Sequence, residues 1–231
     1  MKKKLTVKDI LESKGKKKLT QVYVHTPLEA NACEQSGIDM IVSSENNNFK
    51  FLRESAMNTF FTVGLQFGRY LSEYEIVKRS FQLLETGADA IYCPQSSRFI
   101  KAIANEGIPV VGHAGFIPYK ATHYGGFKAY GKNLNEAKKI LKQIHTLQEA
   151  GAFATEIEIV PEEIIEILYK KTDIFLIGMG SGTICDAQYL FSEDILGYNN
   201  DHIPRHCLLY TSPSPRDQRG SGMPSSAWKK K

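Results

Sequence analysis

Three side chains and one turn in this sequence have the types and spacing to do chemistry on a small carbonyl compound. In Ala154-Thr155-Glu156-Ile157-Glu158-Ile159-Val160, two carboxylates are separated by a single isoleucine. Side chains of a strand alternate between faces, so Glu156 and Glu158 share one face. Such a pair is either a general base with a neighbour that raises its pKa, or two charges at a wet strand end. His113 closes the apolar run that begins at Gly107, where a strand leaves the core. An imidazole there either serves a pocket rim or caps a backbone carbonyl. The turn Gly178-Met179-Gly180-Ser181-Gly182 can bring backbone N–H groups to an anionic substrate group, or can simply reverse the chain.

Elements that position these groups are legible in the hydrophobic pattern. Apolar runs at 21–26, 39–44, 60–67, 90–95, 109–115, 154–160, 174–182 and near 193–198 read as strands. Between them lie helical patterns such as 72–86 and 134–150, the first with Ile76, Phe81, Leu83 and Leu84 as its packed face. Eight strands alternating with helices predict an α/β fold, a (β/α)₈ TIM barrel rather than an open doubly wound sheet. The segment Thr6–Gly15 predicts an added N-terminal helix, with Thr6 and Asp9 as a capping box. After the eighth strand signal the chain reads "NNDHIPRH" and then changes character, so the last barrel helix is expected to be missing. In such a barrel, functional groups occupy the carboxyl ends of the strands. His25, Glu45, His113, Glu158 and the GMGSG turn are therefore expected on one rim. Residues 117–132, rich in Gly, Tyr and Lys, suit a cover over that rim, or a plain surface connection.

Composition removes several function classes. No stretch approaches the roughly 20 apolar residues of a membrane span. The opening "MKKKLTVKDI" has no apolar core of a secretory signal, so a cytoplasmic setting is expected. Cys33, Cys93, Cys185 and Cys207 form no C-x-x-C pair and read as reduced thiols. The net charge of +4 lies wholly in residues 207–231, and the rest holds 24 basic and 24 acidic residues, which argues against a nucleic-acid partner. That tail has no strand or helix period and contains three of the nine prolines and the only tryptophan. Its "CLLYTSPSPRD" resembles the translation of a transposase sequencing adapter. The expected organisation is thus a barrel domain over 1–206 and an adapter-derived tail over 207–231.

Four segments, "GIPVVGHAGFIP", "GGFKAYGK", "EAGAFATEIEIVPEE" and "IGMGSGTICDAQ" followed by "DILG", resemble in order those of the ketopantoate hydroxymethyltransferase family. This family belongs to the phosphoenolpyruvate mutase and isocitrate lyase superfamily. The similarity runs from about Thr6 to Arg205. It implies transfer of a hydroxymethyl group from methylene-tetrahydrofolate to a 2-oxo acid, within pantothenate biosynthesis, by a homo-oligomeric enzyme. The family's base is the glutamate of an L-E-C-V-P motif, which falls on Glu158.

The family also implies a magnesium ion that holds the carboxylate and keto oxygens of the substrate. Its first acid aligns with Glu45 and its second with Gly64. Its lysine and third acid align with Tyr92 and Pro94. Glu45 is then the one carboxylate carried over as a metal or substrate ligand, and Asn46, Tyr92 and His113 are the substrate-binding donors that remain. Glu156 stands at an apolar family position and inherits no role. Two other readings stay open: a different carbon–carbon bond transferase or lyase of the superfamily with little need of metal, and a catalytically silent barrel.

Overall fold

The computed structural model describes residues 3–46 and 48–199. Eight strands, β1 (Leu19–Tyr23), β2 (Met40–Ser44), β3 (Phe60–Gly64), β4 (Ala90–Tyr92), β5 (Val110–Gly115), β6 (Ala154–Glu158), β7 (Phe175–Met179) and β8 (Ala187–Phe191), follow one another around a closed barrel. The pairs from β1–β2 to β7–β8 are parallel. Closure from β8 to β1 includes the Leu19 N–H donating to the Asp186 carbonyl at 2.9 Å. This is the (β/α)₈ barrel that the alternating pattern predicts. Every residue of β5, β6 and β7 is buried, as parallel strands covered on both faces require.

The connecting helices are α2 (Pro27–Gln35), α3 (Phe49–Ser55), α4 (Glu73–Glu85), α5 (Ser97–Asn105), α6 (Ala121–Tyr124), α7 (Leu134–Glu149) and α8 (Glu162–Tyr169). Before the barrel comes α1 (Val7–Ser13), and the expected Thr6–Asp9 capping box is present. In α4 the buried positions are Ile76, Ser80 and Leu83, spaced four and three apart. Phe81 is 42% exposed and Leu84 half-buried, so the packed face expected there is corrected by about one residue.

The eighth strand also lies earlier than the sequence suggested, at Ala187–Phe191 rather than near 193–198. Ala187 and Tyr189 alternate with Gln188 and Leu190 in burial, which suits a strand. The run after it has Ser192, Glu193 and Asp194 at its start and Gly197 at its end, the composition of a short helix. It forms α9 (Ser192–Leu196), with Gly197 left-handed at φ 75°.

Two compact units make up the chain, residues 1–189 and residues 190–231. The second is described as far as residue 199, where Asn199 Nδ2 donates to Asp194 Oδ1 at 2.7 Å. The expected 206/207 boundary, the adapter-derived tail, the missing final helix and Cys207 all lie outside the described residues. Cys33, Cys93 and Cys185 are buried free thiols. Among the described residues no helix is long and apolar enough to cross a membrane.

Two carboxylates tie the amino-terminal end of the barrel together. Asp89 accepts from Arg53 Nη2 and Lys4 Nζ, both at 2.6 Å, and from the Phe61 N–H at 2.9 Å. Asp186 accepts from Tyr169 Oη at 2.6 Å and from Lys14 Nζ and the Leu176 N–H at 2.9 Å. Chemistry in this fold belongs to the opposite end, where the strands finish.

Candidate active site

Register decides which side chains enter the barrel. A Cβ on Gly112 would meet Leu147 of α7 at 2.9 Å, so alternate positions of β5 face the helices and His113 faces inward. His113 pairs with Glu156 and Gly115 with Glu158, which puts both carboxylates on the same inward face. On the other side β4 contributes Tyr92, paired with Val111, two residues before His113.

His113 is the centre of the cluster, at 9% exposure. Its Nε2 lies 2.9 Å from the Phe116 carbonyl oxygen and 3.2 Å from Glu158 Oε2. Both are acceptors, so Nε2 carries a proton. Its Nδ1 lies 2.8 Å from the Tyr92 hydroxyl and 3.8 Å from Glu156 Oε2. Burial pulls the imidazole pKa down, but the hydrogen bond and charge of Glu158, then Glu156 and the Phe116 carbonyl, outweigh it and raise the value. The ring caps a backbone carbonyl, one of the two readings the sequence left open, and it lies between the carboxylates of Glu158 and Glu156.

The Glu156 carboxyl is pushed up, to about 7. Burial is the main cause and the charge of Glu158 adds to it, against His113 and a 3.3 Å hydrogen bond from Gln21 Nε2. Burial also pushes the Tyr92 phenol well above its ordinary value, helped by Glu156 and Glu158, and Tyr189 responds in the same way. Both remain neutral donors.

A raised carboxyl has a stability consequence of definite sign. Between the unfolded value near 4.5 and the folded value of about 7, the native state holds the extra proton, so stability falls as pH rises through that window. Glu156→Gln is expected to stabilise the protein by about 1–2 kcal/mol at pH 8 and by much less at pH 4.5. Urea unfolding of both proteins at the two pH values checks this, and an equal difference at both would refute it.

The backbone holds Glu158 from both sides. Ile159, directly after it, has φ 48°, a left-handed conformation that a β-branched residue adopts only under constraint. The constraint is visible: the Ile159 N–H donates to the Met179 carbonyl at 2.8 Å, and the Ile159 carbonyl accepts from the Tyr130 N–H at 3.0 Å. Ser181 Oγ accepts from the Val160 N–H at 3.1 Å and donates to the Ile157 carbonyl at 2.9 Å. Gly115 has φ 84°, and a Cβ there would come within 2.7 Å of the Glu158 carbonyl oxygen. A side chain at 115 would push the glutamate's backbone aside.

The GMGSG turn therefore works chiefly as a clamp. A Cβ on Gly182 would meet Glu162 at 2.6 Å, and Glu162 accepts from Thr183 N–H and Oγ1 at 2.8 and 2.7 Å. Sequence reasoning missed the roles of Ser181, Glu162 and Ile159. No local signal marks Ile159, because isoleucine is the residue type one excludes from positive φ.

Glu45 and Asn46 do not join this cluster. Glu45 Oε1 accepts from the Gln66 N–H at 2.9 Å, and Oε2 accepts from Tyr70 Oη at 2.5 Å and Arg79 Nε at 2.8 Å. Burial opposes its charge, but these three donors outweigh it and hold its pKa below the ordinary range. Asn46 is exposed, and its side-chain oxygen accepts from Arg69 Nη1 at 3.2 Å. His25 is also exposed, and its ring lies edge-on against Tyr23 with centroids 4.8 Å apart.

The residues present do not fit a magnesium ion of the kind the family resemblance implies. Gly64 offers no ligand, and a Cβ there would press on the Tyr92 ring at 3.3 Å, so the tyrosine occupies the space of an acid. Pro94 is buried and has no side-chain oxygen. Glu45, the third position, is bound to Arg79 on α4 with no bare oxygen. Among the described residues no three His, Cys, Asp or Glu side chains are arranged to hold a metal.

Over the cluster runs 117–132, which contains a 3₁₀ turn (Pro118–Lys120) and α6. Tyr119 stacks on Phe67 of the β3–α4 loop, centroids 4.4 Å apart. Phe116 contacts both Phe127 and Tyr124, and Tyr124 contacts Tyr130. Aromatic contacts thus pin this segment at several points, as a cover that excludes water needs.

Comparison with known proteins places this geometry. The family model described as ketopantoate hydroxymethyltransferase matches residues 46–219. A protein of Kosmotoga olearia named 3-methyl-2-oxobutanoate hydroxymethyltransferase is 30% identical, across 90% of this chain and 87% of the relative. One of the same name from Thermosipho africanus is 31% identical, across 90% and 88%. Among solved structures, 2,3-dimethylmalate lyase, a PEP mutase/isocitrate lyase superfamily member, superposes with TM-score 0.59 at 10% identity, covering 98% of this chain and 92% of the lyase. The carboxyl transferase domain of Rhizobium etli pyruvate carboxylase with pyruvate gives 0.61 at 11% identity, over 81% and 42%. These two show a shared fold.

Proposed function

This chain belongs to the ketopantoate hydroxymethyltransferase family, and from that premise we propose that Glu158 removes a proton next to a substrate carbonyl so that the resulting enolate takes up a one-carbon unit. The observation that carries this reading is the buried, inward carboxylate of Glu158 at a strand end, 3.2 Å from His113 Nε2. The electron pair of the broken C–H bond moves to the carbonyl oxygen, and the enolate carbon then forms the new carbon–carbon bond. With methylene-tetrahydrofolate as donor, one water is consumed, a hydroxymethyl group replaces the lost hydrogen, and tetrahydrofolate leaves. The relatives' name makes a 2-oxo acid, 3-methyl-2-oxobutanoate, their acceptor, and it is the reference compound against which this chain's preference is measured.

Enolate stabilisation falls to side chains already in the pocket. Tyr92 is a neutral hydroxyl beside His113, and Gln21 Nε2 is an amide donor at the same cluster. Glu158 keeps its position because the Ile159 turn and the Gly115 contact leave its backbone no other path. The aromatic cover excludes water from the enolate.

Solvent deuterium exchange tests the reading directly, because enolisation exchanges the α-hydrogen without the one-carbon donor. A panel of carbonyl compounds should include at least one whose α-hydrogen exchanges faster with the protein than without it. Failure with the whole panel would favour a silent barrel. The same assay tests the metal: exchange is expected to change less than ~2-fold on adding EDTA or millimolar magnesium, since Gly64 and Pro94 supply no ligand. A ten-fold dependence would show that a metal site forms.

A further inference from the structure

The charges inside the barrel point to an acceptor different from the relatives' one. Among the described residues the eight strands contain no lysine and no arginine, and their only charged side chains are Glu156 and Glu158, with His113 as the sole basic group. Where the family resemblance implies a lysine and two metal-binding acids, this chain has Tyr92, Gly64 and Pro94, none of which carries a charge. The cluster also holds a second acid, Glu156, at a position the resemblance implies to be apolar, with its carboxylate 3.8 Å from His113 Nδ1.

The positive charge that the pocket can offer is already committed. His113 lies between Glu158 Oε2 at 3.2 Å and Glu156 Oε2 at 3.8 Å, so with all three ionised the cluster carries a net charge of about −1. Around the rim, Arg79 is paired with Glu45 at 2.8 Å, and Arg69 is hydrogen-bonded to Asn46 and Gln66. Lys120, Lys128 and Lys132 of the cover are exposed. Beside the GMGSG turn, the backbone anion site that the sequence suggested, stands another carboxylate, Glu162. An incoming carboxylate would lose its water next to two glutamates without gaining a counter-ion.

We infer that the acceptor of this chain is a small carbonyl compound without a carboxylate, an uncharged aldehyde, ketone or 2-oxo amide, whose oxygen is bound by the neutral donors around Tyr92 and His113. The inference rests on the enolisation reading above for its chemistry, and on the residue charges alone for its selectivity. Tyr92, Tyr189 and Gln21 give the inner wall hydroxyl and amide donors that suit a neutral carbonyl oxygen.

A matched pair of probes separates the two. 3-Methyl-2-oxobutanoate and 3-methyl-2-oxobutanamide share a carbon skeleton and differ in charge. Deuterium exchange of each is measured with the protein and divided by its uncatalysed rate, and binding is followed by ligand-observed NMR. Rate enhancement on the amide is expected to exceed that on the carboxylate by at least ~100-fold, the size of one unpaired desolvated charge. Glu156→Gln, which keeps the shape and removes one like charge, should narrow that gap about ten-fold, and Glu156→Leu should act in the same direction. Equal or greater enhancement on the carboxylate would overturn the substrate class while leaving enolisation intact. Preferential binding of the amide without exchange would uphold the charge selectivity and sink the enolisation reading. Binding of the carboxylate at least as tight as the amide, without exchange of either, would overturn both.

Discussion

Glu158→Gln is expected to lower the enzyme-dependent exchange of an α-hydrogen by about 10²- to 10⁴-fold, the range for loss of a general base. Glutamine keeps the length and a carbonyl oxygen that can still accept from His113, so the fold and the position of the ring should survive. What it cannot do is take a proton. The substitution must therefore act on the rate of exchange far more than on substrate binding. Isotope incorporation at saturating and subsaturating substrate separates these effects. Exchange within three-fold of the unsubstituted protein would remove Glu158 from the mechanism. In that event Glu156, raised to about 7 on the same inward face, would be the carboxyl to examine.

Asp186→Ala is expected to cost about 3–4 kcal/mol of folding stability, because it removes one partner of a buried ion pair and strands a backbone donor. The Asp186 side chain is fully buried, and it accepts from Tyr169 Oη, Lys14 Nζ and the Leu176 N–H. It thereby joins α1, α8 and the start of β7 at the point where the backbone of the same residue closes the barrel onto Leu19. Lys14 retains about one fifth of its side-chain exposure and can recover some water, which keeps the cost toward the lower end of the range for a buried pair. Lys14→Met should cost clearly less, since Asp186 then keeps two donors. Urea unfolding of the two variants tests the ranking, and a loss below 1 kcal/mol for Asp186→Ala would show that the closure does not depend on it. Neither variant touches the opposite end of the barrel, so exchange activity per folded molecule should be unchanged.

How much of this was legible beforehand depends on the range over which each cause acts. Local causes were readable: strand and helix periods located seven of the eight strands, the Thr6–Asp9 box capped α1, and one intervening residue put Glu156 and Glu158 on one face. The motif around Glu158 led to the family that the comparisons then matched. The eighth strand was misplaced because the apolar pair Ile195-Leu196 was read as strand, although its segment has the end signals of a helix and Ala187–Phe191 is the more apolar run.

What remained hidden was whatever depends on a partner distant in the chain. Glu45 reads as a rim carboxylate in sequence. It is instead held by Arg79, 34 residues away, because α4 packs against the outside of the strands. The pairing of His113 with Glu156, the reach of Tyr92 to the same ring, and the burial that raises Glu156 to about 7 all follow from strand register. The left-handed turn at Ile159 is the extreme case, since its residue type argues against the conformation and what holds it is the Tyr130 N–H donating to its carbonyl, its own N–H donating to Met179 and the Val160 N–H donating to Ser181. Sequence by itself determined the barrel, the family and the inward face that bears Glu156 and Glu158. Only tertiary structure decided which charges meet inside that barrel, because electrostatic energy depends on distances and burial that the closed sheet sets.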